Sequence, residues 1–200
     1  MVAKNIVEFW KKIHPERKFI LATVVAFLTV YLIGGTVLAY PNYMSYFNAA
    51  AGGPKLGYRL ATDSNADWGQ DLKRLKSWIE DYNRFFRKPD RKVLCSGISE
   101  DILDAENGIQ KIRIDYFGGG DIDYYISPYY QKWWDSKRPI EPGWYAISTN
   151  FLMGSLYDKS KKDSDSYRWL LKMNKKPVYQ VGTSLLIYYV SIADVMHYQE

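Results

Sequence analysis

The pattern of apolar and polar positions divides the chain unevenly. Phe19 to Tyr40 runs 22 residues, FILATVVAFLTVYLIGGTVLAY, without one charged side chain. About 20 apolar residues, rising about 1.5 Å each, cross a hydrocarbon core ~30 Å thick, so the run predicts a transmembrane helix. Its three Thr can bond back to their own helix, which leaves no polar group for lipid to satisfy. A buried core helix and a cleaved signal peptide compete with this reading. The length of the run and its sharp bounds, Arg17-Lys18 before and Pro41 after, oppose the core helix. Val37-Leu38-Ala39 offers small residues for cleavage. The apolar part of a signal peptide, however, is usually only about 7–15 residues long.

Past this run the pattern changes. Residues 41–62 read as an irregular, aromatic-rich lead-in broken at Gly52-Gly53-Pro54. From Asp67 to about Lys88 the period becomes helical. Leu72, Leu75, Ile79, Tyr82 and Phe86 form one stripe, Asp67 reads as the N-cap, and Pro89 ends the element. Lys92–Ser96 reads as a short strand, and Asn107-Gly108 as a turn. Residues 111–117 alternate polar and apolar before Gly118-Gly119-Gly120, a strand followed by a tight loop. Asp121–Tyr130 opens as a short helix, and Gly143–Ser148 is another strand. Residues 158–166 form a charged loop, Tyr167–Met173 a short helix, and Val178–Val181 with Ser184–Val190 a closing hairpin. The expectation is α/β. A basic segment (1–18) leads to one N-terminal transmembrane helix (19–40). A compact extracytoplasmic domain (41–200) follows, with a mixed sheet flanked by helices.

Charge orients this layout. The net charge is +5, but residues 1–18 hold five Lys/Arg against two Glu, and residues 41–200 hold 22 basic against 20 acidic groups. Lys4, Lys11, Lys12, Arg17 and Lys18 precede the helix, so the N-terminus is expected in the cytoplasm and the domain outside it. A nearly neutral body argues against a nucleic-acid partner. One Cys and two His exclude a disulfide framework and a single-chain Cys or His metal site. Cys95 reads as a small buried hydrophobe, and His197 as a surface residue near a disordered end. Gly118–Gly120 is not followed by Lys-Ser/Thr, so it is no phosphate loop of the usual kind and no cofactor is expected.

The densest chemistry lies in Asp63, Asn65, Asp67, Trp68, Gln70 and Asp71. Three readings stay open. The first half of a calcium loop fits Asp63-x-Asn65-x-Asp67, but Trp68 and Arg74 stand where Gly and Glu belong. Carboxylates, amides and an indole face also suit a sugar. Helix capping uses the same residues. Trp133-Trp134 and the tyrosines at 124, 125, 129 and 130 fit a carbohydrate groove, a membrane-facing surface or a core.

Tyr40-Pro-Asn-Tyr-Met-Ser-Tyr-Phe-Asn48, Ala51-Gly-Gly-Pro54 and Asp63-Ser-Asn-Ala-Asp-Trp-Gly-Gln-Asp-Leu72 together resemble a block near the C-terminal end of certain prokaryotic polytopic glycosyltransferases. Those enzymes are similar to the protein O-mannosyltransferases and use sugars carried on polyprenyl or dolichyl phosphate. Tyr116-Phe-Gly118, Pro142-Gly-Trp-Tyr-Ala-Ile-Ser148, Tyr167-Arg-Trp-Leu170 and Gly182–Tyr189 fit the same domain. The resemblance runs from about residue 19 to 190, and a longer stretch at 97–110 departs from it. It implies a last membrane helix and an extracytoplasmic cap. The family's catalytic carboxylates lie in an external loop with no match here, so no catalytic residue carries over. A split or truncated part of such an enzyme is expected, working with a polytopic subunit on a glycan or lipid-linked sugar. The run from Asp63 to Asp71 would contact sugar. An independent membrane-anchored glycan-binding module and an anchored carboxylate hydrolase are the alternatives.

Overall fold

The structure is a computed structural model of the chain and describes residues 8, 11, 14–62, 67–86, 108–133, 139–161 and 166–199. The chain divides into two units, Met1–Tyr43 and Met44–Glu200.

The first unit holds helix α1, Pro15–Ala39, which is long and apolar enough to cross a membrane. It starts before Phe19 because Pro15 suits a first helical position and Glu16 favours the positive end of the helix dipole. The hydroxyls of Thr23, Thr29 and Thr36 donate to the carbonyls of Phe19, Val25 and Leu32 at 2.8–2.9 Å, as the spacing allowed. No residue of its most apolar 18-residue stretch is buried, which departs from a core helix.

In the second unit the lead-in folds into single helical turns at Ala49–Ala51, Gly53–Leu56 and Gly57–Arg59. The Asn48 side chain caps the first by accepting from Ala51 N–H at 2.9 Å. Helix α2 spans Leu72–Phe86. Its apolar stripe is buried as expected: Leu72, Leu75 and Ile79 are fully covered, while Lys73, Ser77 and Glu80 are exposed. Asn83 ties the helix to the entry of the sheet. Its amide donates to Ile109 O at 3.0 Å and accepts from Ile109 N–H at 2.6 Å. The start corrects the expected N-cap. Gly69 sits at φ +99°, a left-handed conformation, so the helix cannot reach back through it to Asp67. The carbonyl of Asp71 accepts the N–H of Leu75 instead. The expected strand Lys92–Ser96, with Cys95, lies outside the described residues, as do Trp134, Asp63 and Asn65.

The sheet is built from β1 (Ile112–Asp115), β2 (Tyr130–Lys132), β3 (Gly143–Ser148), β4 (Tyr179–Val181) and β5 (Leu185–Val190), in the order β2-β1-β3-β5-β4. β1 runs parallel to β2 and β3, whereas β5 is antiparallel to β3 and β4, so the sheet is mixed. Helix α3 is shorter than expected, Ile122–Ile126, capped by Asp121, whose side chain accepts from Tyr124 N–H. Pro128 disfavours a helical Ser127, which frees the next residues for β2. Helices α4 (Thr149–Tyr157) and α6 (Ile192–Gln199) were not expected, and α5 (Arg168–Lys172) was.

Period-two alternation sends side chains to two cores. Trp144 and Ala146 of β3, with Leu185 and Ile187 of β5, join the stripe of α2 and Ile126 of α3 on one face. Tyr145, Ile147, Leu186, Tyr188 and Val190 join Leu152 of α4, Trp169 and Leu170 of α5, and Val195 of α6 on the other. Trp133 is buried in this second core, with its ring edge-on to Tyr145. Both faces of the sheet are covered by helices, an α/β layering.

Candidate functional site

The chain leaves β1 toward α3 on one face and leaves β3 toward α4 on the other. Neighbouring parallel strands whose connections diverge in this way open a crevice at their carboxyl ends, where open α/β sheets hold ligands. The described part of the acidic run packs against these strand ends.

Asp67 is 1% exposed. Its carboxylate accepts from Ser148 Oγ, at the end of β3, at 2.8 Å, and from Gly69 N–H at 3.2 Å. Burial pushes the Asp67 carboxyl above the ordinary carboxylate value. Hydrogen bonds from Ser148 and Gly69 oppose this, and the charge of Asp71 adds to it. Asp71 is completely buried. One of its oxygens accepts from Thr183 N–H, Ser184 N–H and Ser184 Oγ at 2.9, 3.0 and 2.8 Å. The other accepts from Arg74 at 2.6 Å. The two carboxylates therefore brace the run against the end of β3 and the β4–β5 turn, across 81 to 113 residues of sequence.

The turn that carries Asp67 packs closely on the triple glycine. A Cβ at Gly69 would meet the Tyr116 hydroxyl and lie 3.2 Å from Gly120 N. A Cβ at Gly118 would meet the same hydroxyl and Gly69 N. Tyr116 Oη accepts from Gly120 N–H at 3.4 Å. Burial, reinforced by the negative charge of Asp67, pushes the Tyr116 hydroxyl up to about 12, so it stays protonated and able to donate. The glycines here serve close approach of backbone to a tyrosine. Beside them Phe117 and Phe151, both partly exposed, meet edge to face at 5.5 Å. At the end of β1, Asp115 accepts from Tyr167 Oη at 2.5 Å, inside the domain.

Of the six candidate residues, Asp63 and Asn65 lie outside the described ones. Asp67 and Asp71 come together as braces. Trp68, 56% exposed, and Gln70, half-buried, reach the surface, and Trp68 N–H donates to Gln70 Oε1 at 2.7 Å. Among the described residues no group of three or more His, Cys, Asp or Glu is placed to hold a metal. Sequence reasoning missed Ser148, Thr183 and Ser184, because single hydroxyl residues in strands and turns carry no local signal. Compared with known proteins, the chain matches no family model, no curated protein and no solved structure.

Proposed function

We propose that this chain is the membrane-anchored cap of a glycosyltransferase that uses a lipid-linked sugar. In this reading α1 spans the bilayer with its basic end in the cytoplasm. The α/β unit stands outside and works with a membrane-embedded catalytic part. One observation carries the reading. Four of the segments on which the resemblance rests, at 63–72, 116–118, 142–148 and 182–189, are far apart in sequence yet meet in one connected cluster. Asp67 meets Ser148, Asp71 meets Thr183 and Ser184, and Gly69 lies against Tyr116 and Gly118. A shared pattern of this kind is what a common fold would demand. The exposed, apolar α1 further supports the anchor. Asp67 and Asp71 then brace the strand ends, and Trp68 and Gln70 are the described members of the run that reach the surface.

The test is recovery of the intact chain from gently solubilised native membranes. The expected companion is a polytopic protein with acidic residues in an external loop. Sugar transfer from a polyprenyl-phosphate carrier should fall when the chain is removed. A chain that comes down alone, from membranes that transfer at full rate without it, sinks the reading. Orientation is tested with Lys159→Cys or Glu8→Cys, each in a Cys95→Ala background, since both positions are exposed. A membrane-impermeant maleimide is expected to label the first and spare the second.

A further inference from the structure

The lead-in at residues 44–60 has two unlike sides. Its inner side is tied to the α/β unit. Tyr58 is buried in the second core, and the Ser45 hydroxyl accepts from Thr183 Oγ1 at 2.9 Å. The Gln180 amide donates to the Lys55 carbonyl at 2.9 Å. A Cβ at Gly57 would strike the Phe47 ring, so these turns also pack closely on one another. Residues 44–60 are therefore part of the folded unit rather than a loose tether.

The outer side is apolar and basic. Met44, Tyr46, Leu56 and Leu60 are all exposed. Leu56 and Leu60 stand four residues apart on successive helical turns, which puts them in one row. Exposed Lys55 and Arg59 make the neighbouring row at the same spacing. Gly57 and Tyr58 fill the buried side of the turn. Residues 41–62 hold these two cations and no acidic residue. An apolar row beside a basic row suits a segment lying in the bilayer interface. There leucines enter the acyl boundary while long cationic side chains reach the phosphates. Tyrosine also favours the headgroup layer.

Chain continuity says what covers this face. Met44 follows Ala39, the last residue of α1, by five positions. Five residues span at most about 18 Å, so a bilayer crossed by α1 stays within reach. We infer that the outer side of residues 44–60 is a lipid-contact surface, seated on the headgroups of the bilayer that α1 spans. Leu56 and Leu60 enter the interface, and Lys55 and Arg59 meet lipid phosphates. The surface rests on the anchor in the proposed function and on nothing in sugar transfer. It is small and depends on the tether, which keeps it at high effective concentration. Because Ser45 and Tyr58 tie the same turns to the sheet, the contact limits how far the α/β unit swings about its anchor.

The experiment uses the full chain in phosphatidylcholine vesicles, with an NBD fluorophore at Ala61→Cys in the Cys95→Ala background. Ala61 is exposed beside Leu60, and labelling it leaves the proposed contacts in place. The same label at exposed Lys159→Cys is the reference. The quencher is phosphatidylcholine carrying a nitroxide near its headgroup. It is expected to quench the label at 61 and to spare the one at 159. Leu56→Ser with Leu60→Ser is expected to abolish the quenching. An unchanged thermal melt shows that this variant stays folded. Once phosphatidylglycerol is added, Lys55→Gln is expected to lower the ratio of quenched to unquenched label about fivefold, the scale of one basic residue at an anionic surface. A label at 61 as bright as that at 159, in a chain that resists carbonate washing, overturns the surface and leaves the anchor standing. A chain that carbonate strips from the vesicles removes the anchor, and the surface falls with it. A label at 61 shielded from aqueous iodide yet untouched by the nitroxide lipid puts protein on this face and overturns it too. Quenching that survives the double serine variant takes the contact away from Leu56 and Leu60 and overturns it as well.

Discussion

Asp67 and Asp71 sit four residues apart, yet burial affects them through different partners. Asp71 anchors two backbone N–H groups, a hydroxyl and a guanidinium. Asp71→Ala strands these donors, and we expect it to lower unfolding stability by about 3–5 kcal/mol in urea titrations. Gly182 joins this argument. Its φ is +57°, and a Cβ there would strike the Asp71 carboxylate, so Gly182→Ala also disrupts the brace. Asp67 accepts from Ser148 and Gly69, and its carboxyl is held above its ordinary value by burial. A raised native value means the native state binds the proton more readily than the unfolded chain. The contribution is fully present below the ordinary carboxylate range and is lost as pH rises through the native value. Asp67→Asn keeps the shape and removes the charge. The stability gained by Asp67→Asn over the wild type is expected to be largest at about pH 8 and to shrink toward about pH 4. A constant difference across that range would contradict the burial argument. The acidic run was legible as a place of dense chemistry. Its burial was not, since the donors that Ser148, Thr183 and Ser184 supply lie 81 to 113 residues away.

At the scale of elements, the stripe of α2 was plain in the sequence because the helix buries one fixed face, and β3 and β5 were legible as short strands although both of their faces are buried. Ile79 is fully covered between α2 and the sheet, and Glu80 beside it is exposed. Ile79→Ala is therefore expected to cost about 2–5 kcal/mol, with Glu80→Ala within about 0.5 kcal/mol of wild type, both read from thermal melts. The elements that escaped notice did so for different reasons. β2 is three residues at the edge, too short to show a period. α4 mixes Thr, Asn, Gly and Ser among its apolar positions, so no single stripe emerges. α6 did carry a signal. Ser191 N–H and Oγ donate to the Asp194 carboxylate at 2.7 Å, and Asp194 N–H donates to Ser191 Oγ at 3.2 Å, a capping box written as Ser-x-x-Asp. Burial alone would push the Asp194 carboxyl up. Its hydrogen bonds from Lys175 and Ser191 outweigh that and hold it below the usual range. Its contribution to stability thus has the opposite sign to that of Asp67, and is lost as pH falls.

At the scale of the whole molecule, the question is whether α1 serves the fold or only the location. Every side chain in the two described cores lies between Tyr58 and Val195. No residue in the most apolar stretch of α1 is buried, and side chains such as Phe27 and Leu38 are 69% and 81% exposed. In water such a surface would drive association, because each large apolar side chain gains roughly 1.5–3 kcal/mol on full burial. In a bilayer it is at rest. The proposed anchor and the two cores therefore divide along the chain at the boundary between Tyr43 and Met44. Residues 44–200 expressed alone are expected to stay in the aqueous phase of a detergent partition and to melt within a few degrees of the full chain in micelles. The full chain is expected to remain with membranes after carbonate washing. Loss of cooperative melting in residues 44–200 would mean that α1 supplies stability the two cores do not. Retention of residues 44–200 on vesicles would mean that the domain surface itself binds lipid. Exposed Met44, Tyr46, Leu56 and Leu60, which follow the boundary, would then be the first residues to change.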